Sequence, residues 1–187
     1  MLSRILPYMR CPRCSADRLE LRPDGLSCPA CGSGFDSQEG ILDMIGEDPG
    51  EVITPFQRLM QSRAVVSVYE NSWRHLGYFL ASSRSFSREM ETVLSLAGER
   101  GDGPAMDLAC GPGVFTRPLA RRLGGIVIGL DLSRPMLRQA ARRIAEEGIS
   151  NIQLVRASAF ALPFADGVFS HVNCCGALHL FDRPEKA

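Results

Sequence analysis

AMDLACGPGVFTRPLARR, residues 105–122, reads as strand, glycine turn and helix. Ala105 to Ala109 is a short apolar run broken only by Asp107, Gly111 and Gly113 bracket a proline, and Val114 to Leu123 returns to helical spacing. Such a turn brings a ligand close to backbone. Glycines remove the Cβ that would keep ligand atoms away, and the N–H groups of the following helix point into the same space.

Downstream the pattern repeats. GGIVIGLDLSRPMLRQAARRIAEEG, residues 124–148, is a second strand ending in Asp131, followed by a helix that Ser133 can cap. Ile152 to Ala157 gives a third strand and Val168 to Cys174 a fourth. Strands alternating with helices predict a parallel sheet wound right-handedly, with ligands at the carboxyl ends of the strands where their order reverses.

Upstream, Pro55 to Gly77 and Phe86 to Gly98 read as helices, with Leu59, Val65, Val66, Tyr69, Trp73 and Leu76 recurring at threes and fours. SSRSFS at 82–87 is a polar break in which Ser85 can cap the second helix. Tyr69 and Trp73 read as core packing; the sharper alternative is a helical segment that folds over the ligand mouth and lends it an aromatic. GEDPGE at 46–51 is acidic and turn-rich and marks a linker. The chain therefore divides into residues 1–46, a linker and helical segment at 47–100, and a core at 101–187.

The first segment holds CPRC at Cys11 and Cys14 and CPAC at Cys28 and Cys31, with thirteen residues between the pairs. Each C-x-x-C places two thiolates on one side of a tight knuckle, and two knuckles supply four soft ligands at the corners of a tetrahedron, which suits zinc. LELRPDGLSC gives two strand-like runs around a Pro23-Asp24-Gly25 turn, so the segment reads as a zinc ribbon. A redox dithiol or a rubredoxin-like iron site are the alternatives. Four thiolates leave no open position for a substrate, so the metal is expected to be structural, Zn2+ bound by Cys11, Cys14, Cys28 and Cys31.

With 187 residues and 45% hydrophobic content the chain can bury one ordinary core plus a small appendage. Basic and acidic residues balance at 21 each, so no global field recruits nucleic acid or anionic membrane. Ile5 to Met9, broken by Pro7, is too short for an export signal or a membrane span. A cytoplasmic setting is expected, in which seven cysteines mean metal ligands or free thiols rather than disulfides.

Two cofactor classes compete for a glycine turn with an acidic residue at the end of the next strand. A dinucleotide site has G-x-G-x-x-G, whose third glycine lets helix and strand pack closely. Here Thr116 stands at the third position, which weakens that reading. The sequence resembles instead the class I S-adenosylmethionine-dependent methyltransferases. DLACGPG (107–113), IGLDLSRPML (128–137) and ALPFADGVFSHV (161–172) carry the likeness, with GALH (176–179) a fainter match.

That resemblance implies an α/β fold with a Rossmann-like parallel sheet, incomplete at about four strands. It also implies residue roles. Gly111 and Gly113 pass close to the methionine and ribose parts of S-adenosylmethionine, with Ala109 replacing the first glycine of the extended turn as a small change. Asp107 lies near the methionyl ammonium. Asp131 accepts from the ribose hydroxyls, and Leu132 and Met136 flank adenine. Ser158 stands where relatives place an aspartate that accepts from the adenine amino group; its hydroxyl can still accept, and the Ala159 N–H can still meet the ring. His179 and Asn173 are the residues expected at the methyl-transfer cavity, with His179 the candidate base.

The whole order, ribbon, helices and core, resembles a narrower set of zinc-ribbon methyltransferases of bacteria and plant plastids, and VYENSWRHLG (68–77) is similar to their YE-x-x-WR helix. The ribosomal RNA guanine methyltransferases with a zinc module are the other relatives, disfavoured by four cysteines and by VNCCGALHLF after the fourth strand. A small-molecule or lipid-like acceptor is expected, RNA less so, with a non-catalytic cofactor-binding adaptor as the remaining alternative. DRPEK at 182–186 has the form of a helix start. Relatives continue through that helix and three further strands, so the resemblance implies a truncated reading frame with the fourth strand as an exposed edge.

Overall fold

The structure, a computed structural model, describes residues 1–45, 86–98, 103–181 and 183–186. The expected linker at 46–51, the helix over 55–77 with Tyr69 and Trp73, and the Ser85 cap lie outside the described residues.

A short helix α1 (Leu2–Ile5) and a 3-10 turn (Leu6–Tyr8) lead into the first cysteine knuckle. Three antiparallel strands follow, β1 (Glu20–Arg22), β2 (Gly25–Ser27) and β3 (Gly34–Gln38). The turn at Pro23-Asp24 is the one the sequence predicts. Gly25 is required there by close approach, because a Cβ would lie 2.0 Å from the Phe35 carbonyl oxygen.

β4 (Ile41–Asp43) pairs antiparallel with β3 on one side and parallel with β7 (Ile152–Arg156) on the other. Through it the ribbon becomes part of the main sheet. The core strands are β5 (Ala105–Leu108), β6 (Val127–Asp131), β7 and β8 (His171–Asn173), and the whole sheet runs β1-β2-β3-β4-β7-β6-β5-β8. β5, β6, β7 and β8 are parallel, and the chain order reverses at β5, which has β6 on one side and β8 on the other. β8 is shorter than the expected 168–174, and Phe169, ahead of it, meets Phe164 edge to face with ring centroids 5.0 Å apart and packs against the core.

Alternation along these strands sorts the two faces. Ala105, Val127, Ile152 and Leu154 pack against α2 (Phe86–Leu96), α3 (Thr116–Leu123) and α4 (Arg134–Glu146) through Val93, Leu119, Leu137 and Ala140. Met106, Ile128, Leu130 and Val155 face the other way, onto Ile5, Met9, Leu26, Phe35, Leu42, Met44 and Phe164. The ribbon thus covers the sheet face that a doubly wound fold covers with a second helical layer. Among the described residues no helix is long and apolar enough to cross a membrane.

Two ends of the core helices carry the residues that cap them. Ser133 caps α4, its hydroxyl accepting from Met136 N at 3.4 Å, and Gly124 closes α3 in the left-handed conformation at φ +63°. Pro184–Lys186, in the stretch expected to start a helix, forms a 3-10 turn.

Candidate functional site

The carboxyl ends of β5, β6, β7 and β8 open on one pocket. Its wall is the turn Asp107, Ala109, Cys110, Gly111 and Pro112; the loop Asp131 to Ser133 with Met136; Ala157, Ala159 and Phe160; and Cys175, Gly176, Ala177, Leu180 and Phe181. This is the strand-order reversal at which α/β sheets hold ligands.

The glycine turn is held from the next strand. Asp131, half-buried at the end of β6, accepts the Gly111 N–H at 2.8 Å on one oxygen and the Ser133 N–H at 2.8 Å on the other. Burial pushes its carboxyl up, against the pull of those N–H groups. Each carboxylate oxygen keeps a further lone pair for a ligand hydroxyl. Gly111 and Gly113 sit at φ +54° and +77°, where glycine adds no strain, and Ala109 adopts φ +54° as well. The substitution at Ala109 is therefore not neutral in the backbone: an L-residue there carries roughly 1 kcal/mol of strain.

Asp107 is buried at 2% exposure and its carboxylate is committed internally, accepting the Thr116 hydroxyl at 2.6 Å and the Asn173 amide at 2.6 Å. Thr116 is the residue at the third position of the glycine pattern. Close helix–sheet packing, which a dinucleotide turn obtains from a glycine on the helix, comes here from the strand: a Cβ on Gly129 would meet Thr116 Cγ2 at 3.1 Å and Leu154 Cδ2 at 2.9 Å. The two positions have exchanged size, and the exchange gives the buried carboxylate its donor.

Asp107, Ala109, Gly111, Asp131, Leu132, Met136 and Ala159 all line the pocket. The lining does not include Gly113, Ser158, Asn173 or His179. Gly113 faces Ala140 and Thr116 at the base of α3. The Ser158 hydroxyl turns back to accept the Phe160 N–H at 3.0 Å, and Asn173 serves Asp107. His179 is exposed in a 3-10 turn (Leu178–Leu180), and its neighbour Leu180 reaches the pocket instead.

Three aromatic walls were not foreseen: Phe115, Phe160 and Phe181. Phe160 and Phe181 meet edge to face at 5.7 Å. They lie 21 positions apart in irregular chain, where no periodicity marks them. Cys110 and Cys175 complete the wall, and burial pushes the Cys110 thiol well above its ordinary range, with Asp131 and Asp107 adding to it, so it stays neutral.

The four ribbon cysteines converge as expected. Cys11, Cys14, Cys28 and Cys31 place their sulfurs within 4.8 Å of one another, with Cys11 to Cys31 at 3.7 Å and Cys14 to Cys28 at 3.6 Å. Zinc–sulfur bonds of about 2.3 Å at tetrahedral angles set sulfur–sulfur edges of about 3.8 Å, so the donors fit that ion. The two knuckles are built alike: Ser15 N–H donates to Cys11 O and Gly32 N–H to Cys28 O, with Ser15 at φ +59° and Gly32 at φ +74°.

A parallel sheet reversing at β5, a glycine turn held by the carboxylate on the next strand and a part-apolar pocket across the strand ends define a Rossmann-like α/β fold. Residues 105–187 match the methyltransferase-domain family model. Over 95% of its length the chain is 28% identical to an uncharacterised chloroplastic methyltransferase of Arabidopsis thaliana, covering 55% of that protein. It is 40% identical over 71 residues to a demethylmenaquinone methyltransferase of Anoxybacillus flavithermus, covering 37% of this chain and 30% of the relative.

Among solved structures, one from Methanococcus maripaludis, described as an S-adenosyl-L-methionine-dependent methyltransferase, superposes with a TM-score of 0.54 at 19% identity, over 65% of this chain and 53% of that one. That likeness is one of fold. The chain spans about half the length of the plant relatives it matches, 55% and 48% of two of them.

Proposed function

We propose that the protein is an S-adenosylmethionine-dependent methyltransferase acting on a small, lipid-like acceptor in the cytoplasm, with a structural zinc ion in its ribbon. The observation that carries the cofactor reading is the Asp131 carboxylate holding the Gly111 N–H at 2.8 Å while facing the pocket. The same group that shapes the glycine turn offers acceptor positions to two ribose hydroxyls. Leu132 and Met136 flank the adenine, Phe160 adds an aromatic face beside the Ala159 backbone, and Asp107, fixed by Thr116 and Asn173, supplies negative potential near the methionyl ammonium. Ser158 and Asn173 act through the residues they hold. The reducing setting of the cytoplasm keeps the Cys11, Cys14, Cys28 and Cys31 thiolates available to zinc.

When bound, the cofactor supplies an electrophilic methyl on a sulfonium. The chain contributes position: its pocket walls align acceptor and methyl and exclude water, and alignment of that kind provides much of the rate in a displacement. His179, exposed beside Leu180, is the candidate base for an acceptor that carries a proton at the working pH. The similarity to demethylmenaquinone methyltransferases favours a lipid-like acceptor.

The test is transfer of labelled methyl from S-adenosylmethionine into a cell extract, resolved by size and polarity. Label in a low-mass, organic-soluble fraction is expected. Label in ribosomal RNA would overturn the acceptor class, and no transfer to any fraction would overturn the enzymatic reading.

A further inference from the structure

The Leu132 carbonyl is held from outside the core. Arg156, at the end of β7, donates its Nε–H to Leu132 O at 3.1 Å, and its Nη1 meets Asp43 Oδ2 at 2.9 Å. Asp43 is the last residue of β4 and is paired in register with Arg156. Its carboxylate is buried, takes the Ile45 N–H at 3.1 Å on the other oxygen, and lies 3.3 Å from Arg134 at the start of α4. One guanidinium, 14% exposed, therefore links the ribbon's last strand to the loop that carries Asp131 and Leu132.

From this geometry we infer that Asp43 and Arg156 are positioning residues for cofactor binding, through which the ribbon sets the 131–133 loop. The inference rests on the cofactor reading above. The loop's other supports are local: Asp131 bonds the Gly111 and Ser133 amides, and the Ala157 N–H reaches Asp131 O at 3.3 Å. Arg156 carries a charge-assisted contact from the ribbon to the Leu132 carbonyl, and Arg134, directly after the loop, meets the same Asp43 carboxylate. The fork of an arginine satisfies both partners at once, which a point-charge ammonium does not. Losing the Asp43 charge frees the guanidinium to turn, and the Leu132 carbonyl loses its fixed donor.

Two other ion pairs join ribbon to core without touching the loop: Glu39 with Arg138 at 2.7 Å and Arg10 with Asp166 at 3.2 Å. They supply controls. Amide hydrogen exchange at Gly111 and Ser133 and calorimetric affinity for S-adenosylhomocysteine are measured on the full chain carrying Asp43→Asn, Asp43→Glu, Glu39→Gln or Asp166→Asn. Asp43→Asn is expected to speed exchange at both amides and weaken affinity by about tenfold each, with partial recovery in Asp43→Glu and the two controls unchanged within about twofold. Unchanged exchange in Asp43→Asn, equal losses in the controls, or faster exchange with unaltered affinity would overturn the inference. A wild-type chain that binds no S-adenosylhomocysteine while Asp43→Asn still speeds exchange would overturn the cofactor reading and leave the link from ribbon to loop standing.

Discussion

Thr116, in the first turn of α3, donates its hydroxyl to the buried Asp107 carboxylate on β5 at 2.6 Å, and its methyl lies against Gly129 on β6. One side chain thus supplies polar satisfaction and close packing together. Thr116→Val keeps the shape and removes the donor from a buried charge, so stability should fall by about 1.5–3 kcal/mol. Denaturant unfolding reads this directly, and an unaltered midpoint would mean the carboxylate does not depend on Thr116.

Ala109 occupies the left-handed region at φ +54° between Asp107 and Gly111. Ala109→Gly relieves that strain but adds freedom to the unfolded chain, leaving a net gain of a few tenths to about 1 kcal/mol. A lowered melting temperature in the glycine variant would contradict this.

Asp131 gives opposite pH signs for binding and for folding. Burial raises its carboxyl above 3.8, so the fold favours the protonated form. Its contribution to stability is full below 3.8 and is lost as pH rises through the raised value. Ligand binding needs the ionised form, so affinity for S-adenosylhomocysteine should fall as pH drops through that same raised value. Asp131→Asn should remove the pH dependence and weaken affinity by roughly 10- to 100-fold. Calorimetry across pH, run on both proteins, checks the pair of expectations.

The ribbon cysteines predict near-stoichiometric zinc by elemental analysis. Cys28 is buried in the same apolar cluster as Leu26, Leu42, Met106 and Val155, so metal loss reaches the sheet. Chelation or Cys28→Ser should lower the melting temperature of the whole unit in one transition rather than melt a separate ribbon. An unshifted core transition after complete zinc removal would oppose this coupling.

Much of this was readable from local pattern. The three central strands fall at the apolar runs around Asp107, Asp131 and Val155, and Ser133 caps where its type and place predict. All four cysteines converge because two short knuckles fix their own geometry. What escaped depends on distant partners. Ile41-Leu42-Asp43 reads as the tail of a ribbon, and nothing nearby shows that it pairs in parallel with Ile152–Arg156, more than a hundred residues on. Phe160 and Phe181 come from loops whose meeting is decided by tertiary packing. Ser158 and His179 were placed by analogy of position, but backbone turns direct one hydroxyl inward and leave the other ring in solvent.

The central claim, an S-adenosylmethionine site on the Asp107–Gly113 turn, is tested most directly by calorimetry of the full chain with S-adenosylhomocysteine and, separately, NAD. The account predicts one site of micromolar affinity for S-adenosylhomocysteine, strongly weakened in Asp131→Ala, and no heat with NAD. Binding of NAD in place of S-adenosylhomocysteine, or binding of the thioether that Asp131→Ala leaves intact, would contradict it.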